Sequence, residues 1–183
     1  QDPQQDLDLA KALLAEAGYP GGTGLPALTF LTNDTPGHVE MANLAAGMLE
    51  ENLGITVNVR ALGWEQFQAA KAEGEWDLVR GGTMGVVRDA YAFLDAFVTG
   101  SPQNDGLYTS EAYDAAVAGS RAAEEPEERL KLLHDAEDLL IGQDMAVVPL
   151  TFYSRDFLVG ASLRDVVFSP AGYQYFRWAW VEE

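Results

Sequence analysis

The chain has no cysteine, which excludes disulfides and thiolate metal sites. It is also poor in cations, with 11 Lys and Arg against 29 Asp and Glu and a formal net charge of −18. Nucleic-acid backbones and anionic membrane surfaces are bound by clustered cations, so neither is an expected partner. There are two histidines, His38 and His134, with no HExxH or paired spacing, so no metal site is expected. No apolar run approaches the length of a membrane span. The opening residues QDPQQDLDLA carry neither a basic stretch nor an apolar leader core. The expectation is a chain that is cytoplasmic, processed, or cut from something longer. Catalytic sets are scarce too. No serine stands in a GxSxG context, and the acidic pairs Glu124-Glu125 and Glu127-Glu128 mark the solvated start of a helix rather than an acid/base dyad. There is no internal repeat and no low-complexity linker.

What is present is ample material for a core: 48% of 183 residues are hydrophobic, enough for one domain or two small ones. The acidity reads most simply as solubility. The organising stretch is Trp76–Phe97, WDLVRGGTMGVVRDAYAFLDAF. Trp76, Leu78 and Val79 begin a strand. Gly81, Gly82 and Gly85 then interrupt any regular element. Phe93, Leu94 and Phe97 follow at helical spacing, with Asp89 in position to cap. A strand opening into a glycine-rich loop and then a helix is where α/β proteins hold ligands. The loop lacks GxxxxGK[ST], so a nucleotide phosphate is not the expected ligand.

The rest of the chain supplies a frame for that stretch. Asp6–Ala17 reads as a helix with an apolar stripe of Leu9, Ala10, Leu13, Leu14 and Ala17, capped by Asp6 or Asp8 and stopped by Gly18. Pro26–Thr32 and Ile55–Leu62 alternate as strands, and His38–Leu53 is a helix with Met41, Leu44, Ala45, Met48 and Leu49 inward. Trp64–Glu73 is a short helix. The order βαβαβ implies parallel neighbours with right-handed crossovers. Beyond the polar loop Gly100–Thr109, helices are expected at Glu111–Ala123 and Pro126–Ile141, with Leu130, Leu133, Ala136, Glu137 and Leu140 at helical spacing. Strands are expected at Ala146–Tyr153 and Phe157–Val159. The tail from Ala161 to Glu183 is aromatic, with little periodicity, and reads as a surface for another domain.

Several segments carry a family signature. Asp6-Leu7-Asp8-Leu9-Ala10-Lys11-Ala12-Leu13-Leu14-Ala15-Glu16-Ala17-Gly18-Tyr19 is similar to a DPxKAKxLLxEAGY helix and stop. Leu53-Gly54-Ile55-Thr56-Val57 resembles LGIxV, Trp64-Glu65-Gln66-Phe67 resembles EWxxF, and Trp76-Asp77-Leu78-Val79-Arg80 resembles FD[LV]xR. Asn104, Tyr108, Tyr113 and Asp114 follow an N…Y…[FY]D spacing. Glu127 and Arg129 with Ala136-Glu137, then Val148-Pro149-Leu150, complete the set. Taken in order, these segments resemble the C-terminal lobe of the family 5 extracytoplasmic solute-binding proteins, the oligopeptide, dipeptide and nickel-binding components of ABC importers.

The resemblance implies an α/β, periplasmic-binding-protein-like lobe with a mixed, mostly parallel sheet flanked by helices. Residues 1–160 would form the ligand-binding lobe, and residues 161–183 an aromatic tail returning toward a second lobe. It implies a binder rather than an enzyme, without cofactor, acting as a monomer. The partners would be a small solute such as a peptide, with an anionic group, and the permease subunits. The location would be the periplasm, or outside a Gram-positive cell on a lipid anchor. A nickel chelate, an opine or a sugar are alternatives to a peptide. An α/β hydrolase or transferase is the alternative by architecture alone, and a pure interaction module using the aromatic tail is a third reading.

The chain departs from the family's GWxxDY, where the aspartate pairs with a peptide amine. Thr83 stands at the tryptophan position and Val86 at the aspartate position. An alkyl group cannot compensate a buried ammonium. A second register, TxGxxxD, sets Met84 at an aromatic position and Asp89 in a DP motif. The candidate ligand-binding residues are Arg80, Thr83, Met84, Arg88, Asp89, Tyr108, Phe152 and Tyr153. Arg80 fits two roles equally, a fork for a ligand carboxylate or one half of a surface ion pair. Arg88 fits ligand contact or solvent exposure. Asp89 fits a helix cap better than a ligand contact. Thr83 and Met84 fit a cleft wall; Tyr108, Phe152 and Tyr153 fit aromatic walls. Of Phe152 and Tyr153, one must face the core if they alternate on a strand.

Overall fold

The computed structural model describes residues 2–83, 87–154, 156–169 and 172–182. The chain folds as two compact units, Gln1–Gly82 and Thr83–Glu183.

In the first unit, helix α1 (Pro3–Glu16) starts earlier than the sequence suggests. The Asp2 carboxylate accepts from Gln4 N at 3.0 Å, and Pro3 occupies the first turn, where its missing N–H costs nothing. Leu7, Ala10 and Leu14 are half-buried, while Leu9 and Leu13 are exposed. The inward stripe is therefore narrower than expected.

Strands β1 (Leu28–Asn33), β2 (Val57–Leu62) and β3 (Leu78–Val79) form a parallel sheet in the order β2-β1-β3. β1 is the central strand, with Phe30 paired to Val59 on one side and Leu78 on the other. Its two faces are both covered, so Phe30, Leu31, Thr32 and Asn33 are all buried regardless of alternation. Leu31 packs with Phe67 and Ala70 of helix α3 (Trp64–Glu73). Neighbouring side chains alternate, so Phe30 and Thr32 face the opposite side, where helix α2 (Pro36–Leu53) packs on β1 and β2.

The face of α2 toward the sheet is made of Ala42 and Ala46, flanked by Met41, Ala45 and Leu49. Small side chains bring the helix close to the sheet. Leu44 and Met48, expected inward, are exposed on the other side. Gly54 closes α2 with φ 70°, and a Cβ added there would stand 2.4 Å from Gly21 O. Only glycine fits both the left-handed backbone and that close approach.

The second unit is mainly helical. Helix α4 (Tyr91–Leu94) continues as a 3-10 turn over Asp95–Phe97. Helices α5 (Glu111–Ala122) and α6 (Pro126–Glu137) pack together, and Leu94, Tyr113, Ala116, Val117, Leu133, Ala136 and Leu140 form the core. Leu130, expected inward on α6, is exposed. The Ser110 hydroxyl caps α5 by accepting from Tyr113 N. α6 passes into a wide π-type turn over Asp138–Gln143, where a Cβ on Gly142 would meet Asp138 Oδ1 at 2.7 Å.

Asn104 holds the loop before α5. It is buried, donates to Tyr108 O at 2.7 Å, and accepts from Tyr108 N at 3.0 Å.

The strands expected at Ala146–Tyr153 and Phe157–Val159 are absent among the described residues. The segments are apolar, but a strand exists only with a partner ladder, and no ladder among the described residues includes them. The tail instead forms two small antiparallel ladders. β4 (Leu163–Arg164) pairs with β7 (Trp180–Val181), and β5 (Val167–Phe168) pairs with β6 (Gln174–Tyr175).

Candidate functional site

In the first unit the parallel strands all end at one edge, the usual ligand edge of an open α/β sheet. Arg80 follows β3 directly, and its N–H donates to Leu31 O at 2.9 Å, which anchors it to the central strand. Its guanidinium folds back over the chain, since a Cβ built on Gly82 would lie 3.0 Å from Arg80 Nη2. Gly81, Gly82 and Thr83 are exposed.

Beside Arg80 the end of β1 turns into α2. Asn33 is buried, donates from Nδ2 to Thr35 Oγ1 at 2.8 Å, and meets His38 Nδ1 with Oδ1 at 2.8 Å. His38 is held below its ordinary value of 6.5, first by burial and second by the Arg80 charge. Asn33, Thr35, His38 and Arg80 thus form a polar cluster at the carboxyl edge of the sheet. Reading the histidines as isolated in sequence missed this. The signal was available, because the rule applied to β3 holds equally for β1, and Asn33 ends that strand.

In the second unit Arg88 is exposed and Asp89 half-buried. The Asp89 carboxylate accepts from Tyr91 N at 3.0 Å and pairs with Arg129 Nη2 at 2.8 Å. The Arg129 hydrogen bond, then that of Tyr91, holds Asp89 below its ordinary value of 3.8. Asp89 is thus not the expected N-cap, which is Ala90; it bonds Tyr91 N from one residue further back, and it has a cationic partner that no local motif announced.

Tyr108 is built into the unit. Its ring stands edge-on to Tyr113, 5.3 Å between centroids, and its hydroxyl donates to Asp144 Oδ2 at 2.6 Å. Burial first, and Asp144 second, push its hydroxyl up in pKa. Phe152 is 98% exposed and Tyr153 67% exposed. The expectation that one of the two faces the core is wrong, because they lie on no strand and alternate against nothing. Met84 and Val86 lie outside the described residues.

The second unit has an open groove of about 690 Å³ between α4 and α5, lined by Tyr91, Asp95, Asp114, Val117 and Arg121 among others. It contains none of the sequence-predicted site residues. Its polar groups are engaged with one another. The Tyr91 hydroxyl donates to Asp95, Arg121 lies 5.5 Å over the Tyr91 ring, and Asp114 Oδ1 accepts from Thr99 N at 2.9 Å. That makes it a joint between helices rather than a ligand site. Among the described residues no three His, Asp or Glu side chains gather as a metal site.

The chain as a whole is similar to known proteins. Residues 1–105 match the family described as bacterial extracellular solute-binding proteins, family 5 middle. The periplasmic oligopeptide-binding protein OppA of Salmonella typhimurium is 32% identical over 158 residues, covering 85% of this chain and 28% of its own length. The dipeptide-binding protein DppE of Bacillus subtilis is 26% identical over 155 residues, with the same two shares of 85% and 28%. The crystal structure of Haemophilus influenzae OppA in complex with RPPGFSPFR superposes with a TM-score of 0.80 at 30% identity, over 90% of this chain and 32% of that one. The chain thus spans about 28% of the length of the curated relatives it matches. The α/β, periplasmic-binding-protein-like fold is that of these structures, and the chain belongs to the family 5 bacterial extracellular solute-binding proteins.

Proposed function

We propose that the protein carrying this chain is the solute-binding component of an ABC importer. It works outside the cytoplasm and delivers a peptide or related small solute to permease subunits, without catalysis. This chain supplies one wall of the cleft, and closure of a second wall buries the solute. The observation that carries this is the Asn33–His38–Arg80 cluster at the carboxyl edge of the parallel sheet, in a chain of this family. A cation beside a histidine whose Nδ1 is already engaged suits an anionic group of the solute, such as a carboxylate. Thr83, Met84 and Arg88 come next in the chain and are its further candidate solute contacts. The relatives OppA and DppE carry oligopeptide and dipeptide binding in their names, which favours a peptide over a sugar, an opine or a nickel chelate.

The aromatic tail fits a surface for the rest of the protein. Tyr175, Phe176, Trp178 and Trp180 are all exposed, and the segments holding Phe152 and Leu158 have no ladder partner among the described residues. Apolar area of that kind is covered in a folded protein.

The test is to purify the full-length protein natively, release its solute by acid, and identify it by mass spectrometry. Short peptides are the expected result. A sugar, an opine or a metal chelate moves the solute class, and turnover of an added peptide replaces the binder with an enzyme.

A further inference from the structure

Asn104 closes a turn in the second unit. Its carbonyl accepts from Leu107 N at 3.0 Å. Its buried side chain donates to Tyr108 O at 2.7 Å, accepts from Tyr108 N at 3.0 Å, and reaches Val98 O at 3.3 Å. Within the turn stand Asp105 and Gly106, both exposed. Leu107 follows in a left-handed backbone at φ 51°, a strained position for a leucine, and its side chain is exposed as well.

Asp105-Gly106 is the only step in the sequence where glycine follows Asp or Asn. At such a step the backbone nitrogen can reach the preceding side chain, because glycine has no Cβ to hold the two apart. The fold leaves this one open. A Cβ built on Gly106 would meet nothing within 4 Å. Among the described residues no hydrogen bond holds the Gly106 N–H. The neighbouring step is shut by contrast. The nitrogen that would attack the Asn104 amide, Asp105 N, donates to Gln103 O at 3.0 Å, and that amide is buried and engaged.

We propose that Asp105 is a covalent self-modification site, which isomerises to isoaspartate and thereby releases the Asn104 bridge. The Gly106 nitrogen attacks Asp105 Cγ. A C–N bond forms, and the carboxyl hydroxyl leaves with the amide proton as water, closing a succinimide. Water then opens the ring. Attack at the side-chain carbonyl restores aspartate. Attack at the α-carbonyl breaks its bond to the Gly106 nitrogen and leaves the chain running through Cβ and Cγ. One water is lost and one regained, so the mass is unchanged and water is the sole co-reactant. The backbone is then one carbon longer inside a closure that Asn104 holds at Leu107 N and Tyr108, and those bonds no longer fit together. Strain at Leu107 favours the product, because the longer chain does not need a left-handed residue to close. The site is independent of the solute reading.

The experiment incubates the full-length protein for weeks at neutral pH. Isoaspartate is then tagged by an isoaspartyl methyltransferase with labelled S-adenosylmethionine, and the methyl group is placed by peptide mass spectrometry. Label should gather on the peptide holding Asp105-Gly106. Gly106→Ala, for which the structure has room, should lose most of it. Asp105→Glu should lose all of it, since its ring would need a sixth member. Asp105→Asn should gain label faster, because a neutral amide accepts the nitrogen more readily than an ionised carboxylate. The isomerised fraction, separated by chromatography, should melt below the unmodified protein, and isomerisation of Asn104→Ala should bring no further fall. Label no higher here than at the chain's other aspartates overturns the proposal. So does label that persists in folded Gly106→Ala, or label that forms in urea-unfolded protein and not in the folded one. If Gly106→Ala does not fold, Asp105→Glu decides by the same loss of label. An isomerised fraction that melts with the unmodified protein overturns release of the bridge.

Discussion

Asn33 fixes the tautomer of His38. Its Nδ2 is committed to Thr35 Oγ1, so Oδ1 is what faces His38 Nδ1 at 2.8 Å, and the proton sits on Nδ1. The ring is thereby oriented by the end of the central strand, with Nε2 as its other polar atom. Burial and the Arg80 charge hold its pKa below 6.5, so in the free protein at neutral pH it is uncharged.

That sets a pH dependence for solute capture. An anionic group brought to the Arg80–His38 edge raises the His38 pKa, so binding takes up a proton between the free and bound values. Affinity for tri-alanine is expected to rise as pH falls from about 7.5 toward 6. His38→Gln should flatten the profile. Calorimetry in two buffers of different ionisation heat counts the protons directly, and zero uptake across that range removes His38 from the site. In the ligand-free protein the sign is opposite. A depressed histidine pKa contributes stability that is present above pH 6.5 and lost as pH falls through the folded value.

Asp89 gives a second pH signature, at lower pH. Its folded pKa lies below 3.8, so the Asp89–Arg129 pair contributes stability that is present above 3.8 and lost as pH falls through the folded value. Asp89→Asn should leave the acid-unfolding profile flatter in that window. The pair is about one-third exposed on each side, at 36% and 38%, so high salt should also weaken it. Denaturant midpoints at pH 3 and pH 6, with and without 1 M salt, measure both; identical slopes in wild type and Asp89→Asn refute the assignment.

Gly54→Ala tests the frame of the first unit. The residue sits at φ 70°, where an L side chain costs about 1–2 kcal/mol, and the new Cβ would lie 2.4 Å from Gly21 O. The expected loss is that amount or more, since backbone must shift as well. A melting temperature within error of wild type would mean the α2 stop is not held as described.

Much of this unit was legible in the sequence, for local reasons. Gly18 and Gly54 stop helices as read, and β1 and β2 lie where strands were expected, whereas α2 begins at Pro36 rather than at the expected His38. Three kinds of feature were not legible. The inward face of α2 turned on close packing of Ala42 and Ala46, so Leu44 and Met48 read as core and are exposed, and on α1 Leu9 and Leu13 of the apolar stripe are exposed as well. The segments around Phe152 and Leu158 read as strands because propensity is local, whereas a ladder needs a partner. At the site, Arg80 and Asp89 stood out from their loop, but their partners did not. His38 precedes Arg80 by a whole strand–helix–strand crossover, and Arg129 is 40 residues beyond Asp89. A pairing across that separation is set by the fold alone.

The last prediction concerns the charge of the solute. By the family resemblance of the sequence, Val86 takes the place of an amine-pairing aspartate, while the backbone of Arg80 is anchored to Leu31 O at the sheet edge and its charge acts on His38. Arg80 is a cation at that edge within a chain of net charge −18. The solute should therefore be held by its anionic group and depend little on a free α-amine. Arg80→Ala should weaken binding by about 1.5–3 kcal/mol, the loss expected for a charge-assisted hydrogen bond. Calorimetry on the full-length protein, wild type and Arg80→Ala, with tri-alanine and N-acetyl-tri-alanine, separates the two ends of the ligand. Acetylation should change affinity by less than about twofold, and amidation of the carboxyl end should reproduce the Arg80→Ala loss. Binding that disappears on acetylation while Arg80→Ala is silent would mean that the amine is the recognised group and that it is captured by residues outside this chain.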